Sequence, residues 1–151
     1  MCGDCSEEES WGRSTGSLSA LEAFARECIA ADRYPDDNHV FRPFQCAACG
    51  AMAFEPTIEH HTGSAEADFK GVIWGECAAC GRRQRLFSFT GQHRTWLREE
   101  KPVCACGNGS FVVAECERIE GEKGLQGFFD EGVVVGACCG CGHNQAFVYT
   151  D

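Results

Sequence analysis

The sequence is organised around Cys46-Ala-Ala-Cys49-Gly50 and Cys77-Ala-Ala-Cys80-Gly81, two C-x-x-C-G motifs with 27 residues between their cysteine pairs. A related set follows, Cys104-Ala-Cys106-Gly107 and Cys138-Cys139-Gly140-Cys141-Gly142, with 31 residues between its first and second cysteine pairs. Each set presents four thiolates on two tight turns, a spacing that can enclose one tetrahedral metal ion. The sequence therefore predicts two four-cysteine metal sites.

The similarity between the two sets extends beyond cysteine. The stretch 75–84 aligns with 136–145, and each is followed by an apolar, strand-like run, Leu86-Phe87-Ser88-Phe89 in one case and Ala146-Phe147-Val148-Tyr149 in the other. Such self-similarity at a fixed period is typical of a repeated structural unit. We interpret residues 42–151 as a duplicated unit of about 50 residues.

The duplication assigns the ligands. We predict Cys46, Cys49, Cys77 and Cys80 for the first site, and Cys104, Cys106, Cys138 and Cys141 for the second. The second site is less regular, because its first turn is C-x-C and because Cys139 competes with Cys138. We prefer Cys138, since it aligns with Cys77 and restores the C-x-x-C-G form, but the sequence leaves the choice open.

Other cysteines and histidines are weaker candidates. Cys28 and Cys116 fall in a predicted helix and strand, and we expect both to be small core residues. Cys2 and Cys5 form a third C-x-x-C that could bind metal or act as a redox pair, but no second pair accompanies it. His143 and the pair His60-His61 fit solvated positions better than ligand positions.

Composition favours metal over disulfides. The chain has 13 cysteines, an odd number, and its start, Met1-Cys2-Gly3-Asp4-Cys5, runs into acidic residues rather than a secretory segment. No apolar stretch approaches the roughly 18 residues of a membrane span. We expect a cytoplasmic protein with no membrane contact.

The formal net charge of −10 is unevenly distributed. Residues 1–39 contribute −6, residues 40–95 contribute +1, residues 96–101 contribute zero and residues 102–151 contribute −5. A surface of this sign repels phosphate, so the composition disfavours nucleic acid as a partner.

The chain divides into five predicted segments. They are an acidic, mobile N-terminus (1–16), an amphipathic helix and linker (17–41), a first ribbon (42–91), a linker (92–101) and a second ribbon (102–151). The helix is predicted to open at the capping box Ser19-Ala20-Leu21-Glu22. Its apolar face comprises Leu18, Leu21, Phe24, Ala25, Cys28 and Ile29.

Inside each repeat the periodicity becomes strand-like. We expect strands near 51–59, 69–76, 83–90, 110–118, 128–137 and 144–150. Residues 35–44 are expected to be an extended linker, and Trp96-Leu97-Arg98-Glu99-Glu100 a short helical turn.

A cysteine turn, a β-hairpin, a second cysteine turn and a third strand together resemble the zinc-ribbon fold, and the C-x-x-C-G motifs are similar to those of rubredoxin. The fold class expected is small, metal-bound and mainly β, with two tandem zinc ribbons and an N-terminal helix. Soft thiolate ligands select zinc or iron. Rubredoxin-type iron sites have Cys-Pro-x-Cys-Gly at the second turn, and neither repeat has that proline. We therefore expect two zinc ions per chain, with iron as the alternative.

A four-cysteine zinc site leaves no open coordination position, so it is structural rather than catalytic. The chain has no phosphate-binding glycine loop and no nucleophile elbow, and we expect no catalytic role for it alone. The order C-x-C-G…C-x-x-C-G of the second repeat resembles the small zinc-binding subunits of biotin-independent ketone carboxylases, the acetone and acetophenone carboxylases. That resemblance implies an accessory subunit in an ATP-dependent complex, with larger protein subunits as partners.

Candidate surfaces follow from the aromatic content. Phe111, Phe128, Phe129 and Trp74 are candidate partner contacts, each equally compatible with a place in the ribbon core. Two alternatives to a docking subunit remain. One is rubredoxin-like electron transfer on iron, and the other is nucleic-acid binding through Arg82, Arg83 and Arg85, which the net charge disfavours.

Overall fold

Across the part of the chain that the structure describes, the strands form one antiparallel sheet and a helix packs against it. The computed structural model describes residues 17–29, 38–62, 68–92, 98–119 and 131–150. Within them the elements are α1 (Leu18–Cys28), β1 (Asn38–Pro43), β2 (Ala53–Thr62), β3 (Asp68–Cys77), β4 (Arg83–Gln92), β5 (Arg98–Glu100), β6 (Phe111–Ile119), β7 (Glu131–Cys138) and β8 (Asn144–Thr150). This confirms the predicted fold class.

The two repeats are built on the same strand register. β2, β3 and β4 form an antiparallel meander in the first repeat, and β6, β7 and β8 form the matching one in the second. Phe54 lies opposite Cys77, and Phe111 lies opposite Cys138. The register also shifts at the same place in both, between residues 73 and 74 and between residues 134 and 135.

The repeats exchange strands. The sheet order is β4-β3-β2-β6-β7-β8, so β2 and β6 pair at the centre. The strand before each first cysteine turn pairs with the other repeat: β1 with β6, and β5 with β2. Phe41 lies opposite Cys116, and Glu99, at the matching distance before its own cysteine turn, lies opposite Glu59. Each repeat therefore contributes one strand that pairs with a strand of the other repeat.

The sheet has two apolar faces, because side chains alternate along each strand. One face packs against α1, where Leu21, Ala25 and Ile29 are fully buried against strands of the second repeat. The other face carries an aromatic core around Phe54 and Phe111, together with the buried cysteine of each turn. The N-terminal helix, which precedes the first repeat in sequence, thus covers the second repeat.

Several local expectations need correction. The helix begins two residues earlier than the capping box at Ser19 predicted, because the Ser17 hydroxyl accepts a hydrogen bond from the Ala20 N–H at 3.1 Å. The expected linker 35–44 contains β1, whose pairing partner is distant in sequence. Residues 98–100 form β5 rather than a helical turn.

Other expectations about the helix and the strands are confirmed, and some concern residues outside the described part of the chain. The predicted apolar face of the helix is confirmed, and the six main strands lie within a few residues of their expected positions. The backbone of His60 and His61 belongs to β2. Residues 1–16, with Cys2 and Cys5, lie outside the described residues, as do Phe128, Phe129 and the rest of 63–67 and 120–130.

We expect Leu21→Ala to lower the free energy of unfolding by about 2 to 4 kcal/mol, since it deletes a fully buried side chain. Urea unfolding of the metal-loaded protein measures the change. Glu27→Ala, at an exposed position on the same helix, is the control and should change the stability by less than about 0.5 kcal/mol. Equal effects of the two substitutions would show that α1 does not pack as described.

Gly75 and Gly136 are a second test of the shared architecture. A Cβ at Gly75 would lie 2.8 Å from side-chain carbons of Phe54 and Leu86, and a Cβ at Gly136 would lie 2.6 Å from the Phe147 ring. We expect Gly75→Ala and Gly136→Ala each to cost about 1 to 3 kcal/mol of stability through overpacking. Gly109→Ala, where the nearest atom is 4.0 Å away, should be nearly neutral in the same denaturation assay.

Candidate metal centres

The first candidate centre comprises the four cysteines at the two turns of repeat one. The sulfur atoms of Cys46, Cys49, Cys77 and Cys80 all lie within 4.8 Å of one another. Two cross-turn distances are 3.7 Å, from Cys46 to Cys80, and 3.6 Å, from Cys49 to Cys77. Tetrahedral zinc with Zn–S bonds of about 2.3 Å requires sulfurs just under 4 Å apart, so this group has the spacing to hold one ion.

The second candidate centre repeats that geometry. The sulfurs of Cys104, Cys106, Cys138 and Cys141 also lie within 4.8 Å of one another. Both cross-turn contacts, Cys104 to Cys141 and Cys106 to Cys138, are 3.6 Å. The structure thus brings the eight predicted residues together in two groups of four, which fit tandem zinc-ribbon-like sites. That they are the metal ligands stays a prediction.

Backbone hydrogen bonds shape each C-x-x-C-G turn. The N–H of Gly50 donates to the carbonyl of Cys46 at 2.8 Å, and the N–H of Gly81 donates to the carbonyl of Cys77 at 2.9 Å. Both glycines have φ near +80°, a conformation in which a side chain would be strained. The turn also points N–H groups at sulfur, as in the 3.3 Å contact from Ala48 N–H to Cys46 Sγ. These donors stabilise a thiolate before any metal binds.

The shorter C-x-C turn reaches the same arrangement with a tighter loop. The N–H of Gly107 donates to the carbonyl three residues earlier, that of Cys104, at 2.7 Å. Gly107 has φ +96°, so it also occupies the glycine-favoured region. The tighter turn therefore compensates for the missing residue, and the sulfur atoms have the same spacing as in the first centre.

Strand alternation separates Cys138 from Cys139. Cys138 shares the metal-side face of β7 with Val134, whereas Cys139 belongs to the core cluster beneath α1. Cys139 is disulfide-bonded, and the other cysteines of the described residues are free thiols. Its N–H donates to the Ser110 carbonyl at 3.0 Å, just as the Ala78 N–H donates to the carbonyl of Ala53. Cys139 therefore occupies the position of Ala78, not that of a ligand.

The cysteine thiols of the two centres do not all ionise alike. Backbone N–H groups of Cys49 and Ala48 lower the pKa of Cys46 to about 6, against the opposing effect of burial. Burial raises the pKa of Cys138 to about 12, even though the N–H groups of Cys141 and Gly140 lower it. A cation is needed to hold all four sulfurs as thiolates together, because their negative charges repel one another.

Each centre lies at the protein surface. In every turn the first cysteine is buried and the last is exposed. Four soft sulfur donors suit zinc or iron and fill a tetrahedral shell, which leaves no position for a substrate. The arrangement can therefore hold structure or carry an electron, but it offers no Lewis-acid chemistry to a bound substrate.

The remaining predicted residues take structural or surface positions. Cys116 is fully buried, and burial raises the pKa of its thiol to about 11, so it is a neutral core residue as expected. Phe111 is also fully buried, so it is unable to contact a partner. Trp74 donates to Glu59 at 3.1 Å, and the Arg83 guanidinium lies 4.4 Å from the centre of its ring. His143 is exposed, which agrees with a solvated position.

The sequence motifs do not predict the role of Gln84. Gln84 joins the two turns of the first centre, since its Oε1 accepts from the Ala47 N–H at 2.9 Å and its Nε2 donates to the Gln45 carbonyl at 3.1 Å. The available signal was the recurrence of glutamine four residues after the last cysteine of each repeat, at positions 84 and 145.

Comparisons with protein-family models, with curated proteins and with solved structures find no match to this chain. Among the described residues, no helix is long and apolar enough to cross a membrane. The function proposed below therefore rests on the geometry of the two cysteine groups.

Proposed function

We propose that the protein is a non-catalytic zinc-binding protein in which two closed four-thiolate centres stabilise a small sheet. The observation that supports this is the pair of four-sulfur groups, each within 4.8 Å, at the ends of strands that share one core. A sheet of this size has a small interior, and a structural metal supplies the stabilisation that the core lacks. Zinc suits this role because it has no redox chemistry.

Metal analysis of the purified full-length protein tests this proposal. If the metal is zinc, elemental analysis should find two zinc ions per chain, and the protein should not absorb visible light. Iron at both centres, with strong bands in the visible spectrum, would overturn the zinc assignment. A metal content near zero in folded protein would overturn the structural role itself.

Electron transfer on iron is the second candidate, and one observation favours it. The last cysteine of every turn is exposed, which would place the metal close to the surface that a redox partner contacts. The acidic surface would suit a basic partner. Reversible one-electron reduction of the native protein would support this candidate, and a redox-silent protein would exclude it.

We further propose that the protein is an accessory subunit of a larger cytosolic enzyme complex. The C-x-C-G…C-x-x-C-G order of its second repeat, shared in form with zinc-binding subunits of ketone carboxylases, is the support for an ATP-dependent carboxylase as that complex. The available apolar surface is small, since the exposed large apolar side chains of the described residues are those of Val103 and Tyr149.

Native purification at endogenous expression tests the subunit proposal. Affinity purification followed by mass spectrometry should recover larger chains in fixed stoichiometry, and the complex should carry ketone carboxylation activity that requires ATP. A monomer that elutes without partners would contradict the subunit role. If large partners copurify but the complex has no carboxylation activity, the subunit role stands and the carboxylase is excluded.

A further inference from the structure

Gln84 links the two cysteine turns of the first centre. Its Oε1 accepts a hydrogen bond from the Ala47 N–H at 2.9 Å, and its Nε2 donates to the Gln45 carbonyl at 3.1 Å. Both of these backbone groups adjoin Cys46, the buried cysteine of the first turn, whereas Gln84 follows the second turn. The two turns of this centre are therefore joined by side-chain hydrogen bonds that do not involve a metal ion.

The second centre has a glutamine at the same place but lacks the link. Gln145 follows Cys141 at the distance at which Gln84 follows Cys80. Among the residues that the structure describes, Gln145 Nε2 is buried and has no hydrogen-bond partner. We attribute the difference to the first turn of this centre, 104–106, which is one residue shorter than its counterpart at 46–49.

Asn108 brings the turns of the second centre into contact without joining them in the same way. Its side chain packs against the second turn, since a Cβ at Gly140 would lie 2.8 Å from Asn108 Nδ2. The Asn108 Oδ1, however, accepts from the Ser110 N–H at 2.8 Å, within its own segment of the chain. The second centre therefore depends more than the first on its metal ion to hold the two turns together.

The charge around the two centres differs in the same direction. Residues 40–95 contribute +1 to the formal charge, and residues 102–151 contribute −5. A divalent ion with four thiolates is an anionic group, so like charge in the second repeat disfavours the closed centre there. Salt screens exposed charges, and this contribution is therefore smaller than that of the hydrogen bonds.

We propose that the second centre is an exchangeable zinc site, whereas the first centre retains its ion. The inference rests on the proposed function, in which zinc fills both centres. A link between two turns keeps the sulfurs in place when one of them releases the ion, so the ion is recaptured. Gln84 is the positioning residue that provides this link at the first centre. At the second centre, the exposed Cys106 and Cys141 give a competing ligand access to an ion that is recaptured less efficiently.

Isotope exchange tests the inference on the intact protein. Full-length protein loaded with two ⁶⁴Zn ions is placed in excess buffered ⁶⁸Zn, and native mass spectrometry follows the isotopes in each molecule. One ion should exchange about tenfold or more faster than the other, so molecules with one ion of each isotope should accumulate. A single rate for both ions would overturn the inference and leave the proposed function intact. Folded protein that does not hold two zinc ions at the outset would overturn both.

Cysteine labelling of the same unaltered protein identifies the faster centre. The last cysteine of every turn is exposed, so the four differ in the metal that protects them and not in being buried. They are Cys49, Cys80, Cys106 and Cys141. Brief pulses of N-ethylmaleimide during exchange, followed by peptide mapping, should modify Cys106 and Cys141 about tenfold faster than the other two. Faster modification of Cys49 and Cys80, or one rate for all four, would contradict the assignment.

Matched substitutions test the role of Gln84. Gln84→Ala should speed exchange of the slower ion about tenfold and leave the rate of the faster ion unchanged, because it removes two hydrogen bonds between the turns of the first centre alone. Gln145→Ala removes the equivalent amide, whose Nε2 has no partner among the described residues, and should change both rates less than about twofold. Circular dichroism and a content of two zinc ions show that each variant is folded. An unchanged slower rate in Gln84→Ala, or equal acceleration by Gln145→Ala, would refute the inference.

Discussion

Replacement of Cys77 by serine is expected to remove one metal ion per chain and to unfold the protein at ambient temperature. Cys77 is buried at the end of β3, opposite Phe54 in the core, so its turn connects the metal centre directly to the sheet. Structural zinc contributes about 10 to 16 kcal/mol to folding in small zinc domains. That range is as large as the whole stability of a typical domain, about 5 to 15 kcal/mol. Loss of one centre is therefore sufficient to unfold the chain.

The matched control is Cys116→Ala, which alters a buried cysteine outside both centres. It should retain two metal ions and lower the stability by only about 1 kcal/mol, as for a small core deletion. Metal content and thermal unfolding followed by circular dichroism measure both variants. A Cys77→Ser protein that keeps two ions and a native melting profile would contradict the role assigned to the first centre.

Separated halves of the chain, 1–96 and 97–151, are expected to remain unfolded alone, even with zinc present. The first half would lose β6, which pairs with both β1 and β2, and would expose the apolar face of α1. The second half would lose the helix that covers its core and the partner of β5. Mixed with zinc, the halves should associate one to one and recover the spectrum of the intact protein, because β1 and β2 pair with β6, β5 pairs with β2, and α1 packs on the second half.

The strand exchange is what this fragment experiment tests. Analytical ultracentrifugation and circular dichroism report association and folding of the halves. Two repeats that fold independently around their own metal ions would show native-like spectra before mixing and no association afterwards. That result would mean that β1 and β5 add little to the sheet.

The grouping of the cysteines into two sets of four could be predicted from sequence because each turn is local. The turns at 46–50 and 77–81 require only a short motif and a glycine that tolerates positive φ. The strand pattern was equally local, since alternation along 111–116 and 133–138 assigns one face to each core. The same alternation also separates Cys138 from Cys139, although alignment of the repeats alone left that choice open.

The exchange of strands could not be predicted, because no local signal specifies a distant pairing partner. β5 has three residues and is defined by hydrogen bonding to β2 rather than by any propensity of Arg98-Glu99-Glu100. For the same reason the sequence predicts only a linker where β1 lies, whereas in the structure the Arg42 guanidinium pairs with Glu115 of β6 at an N–O distance of 2.7 Å. The unequal roles of Gln84 and Gln145 also depend on tertiary contacts and not on their matching positions.

X-ray absorption at the metal edge of the intact, natively purified protein tests the central claim most directly. Two closed four-thiolate zinc centres predict two zinc ions per chain and a shell of four sulfur atoms at about 2.3 Å, with no nitrogen or oxygen ligand. A shell containing nitrogen or oxygen would contradict the account, because it would mean an open or mixed centre. A single zinc ion per folded chain would contradict it equally, since one of the two cysteine groups would then have no structural metal.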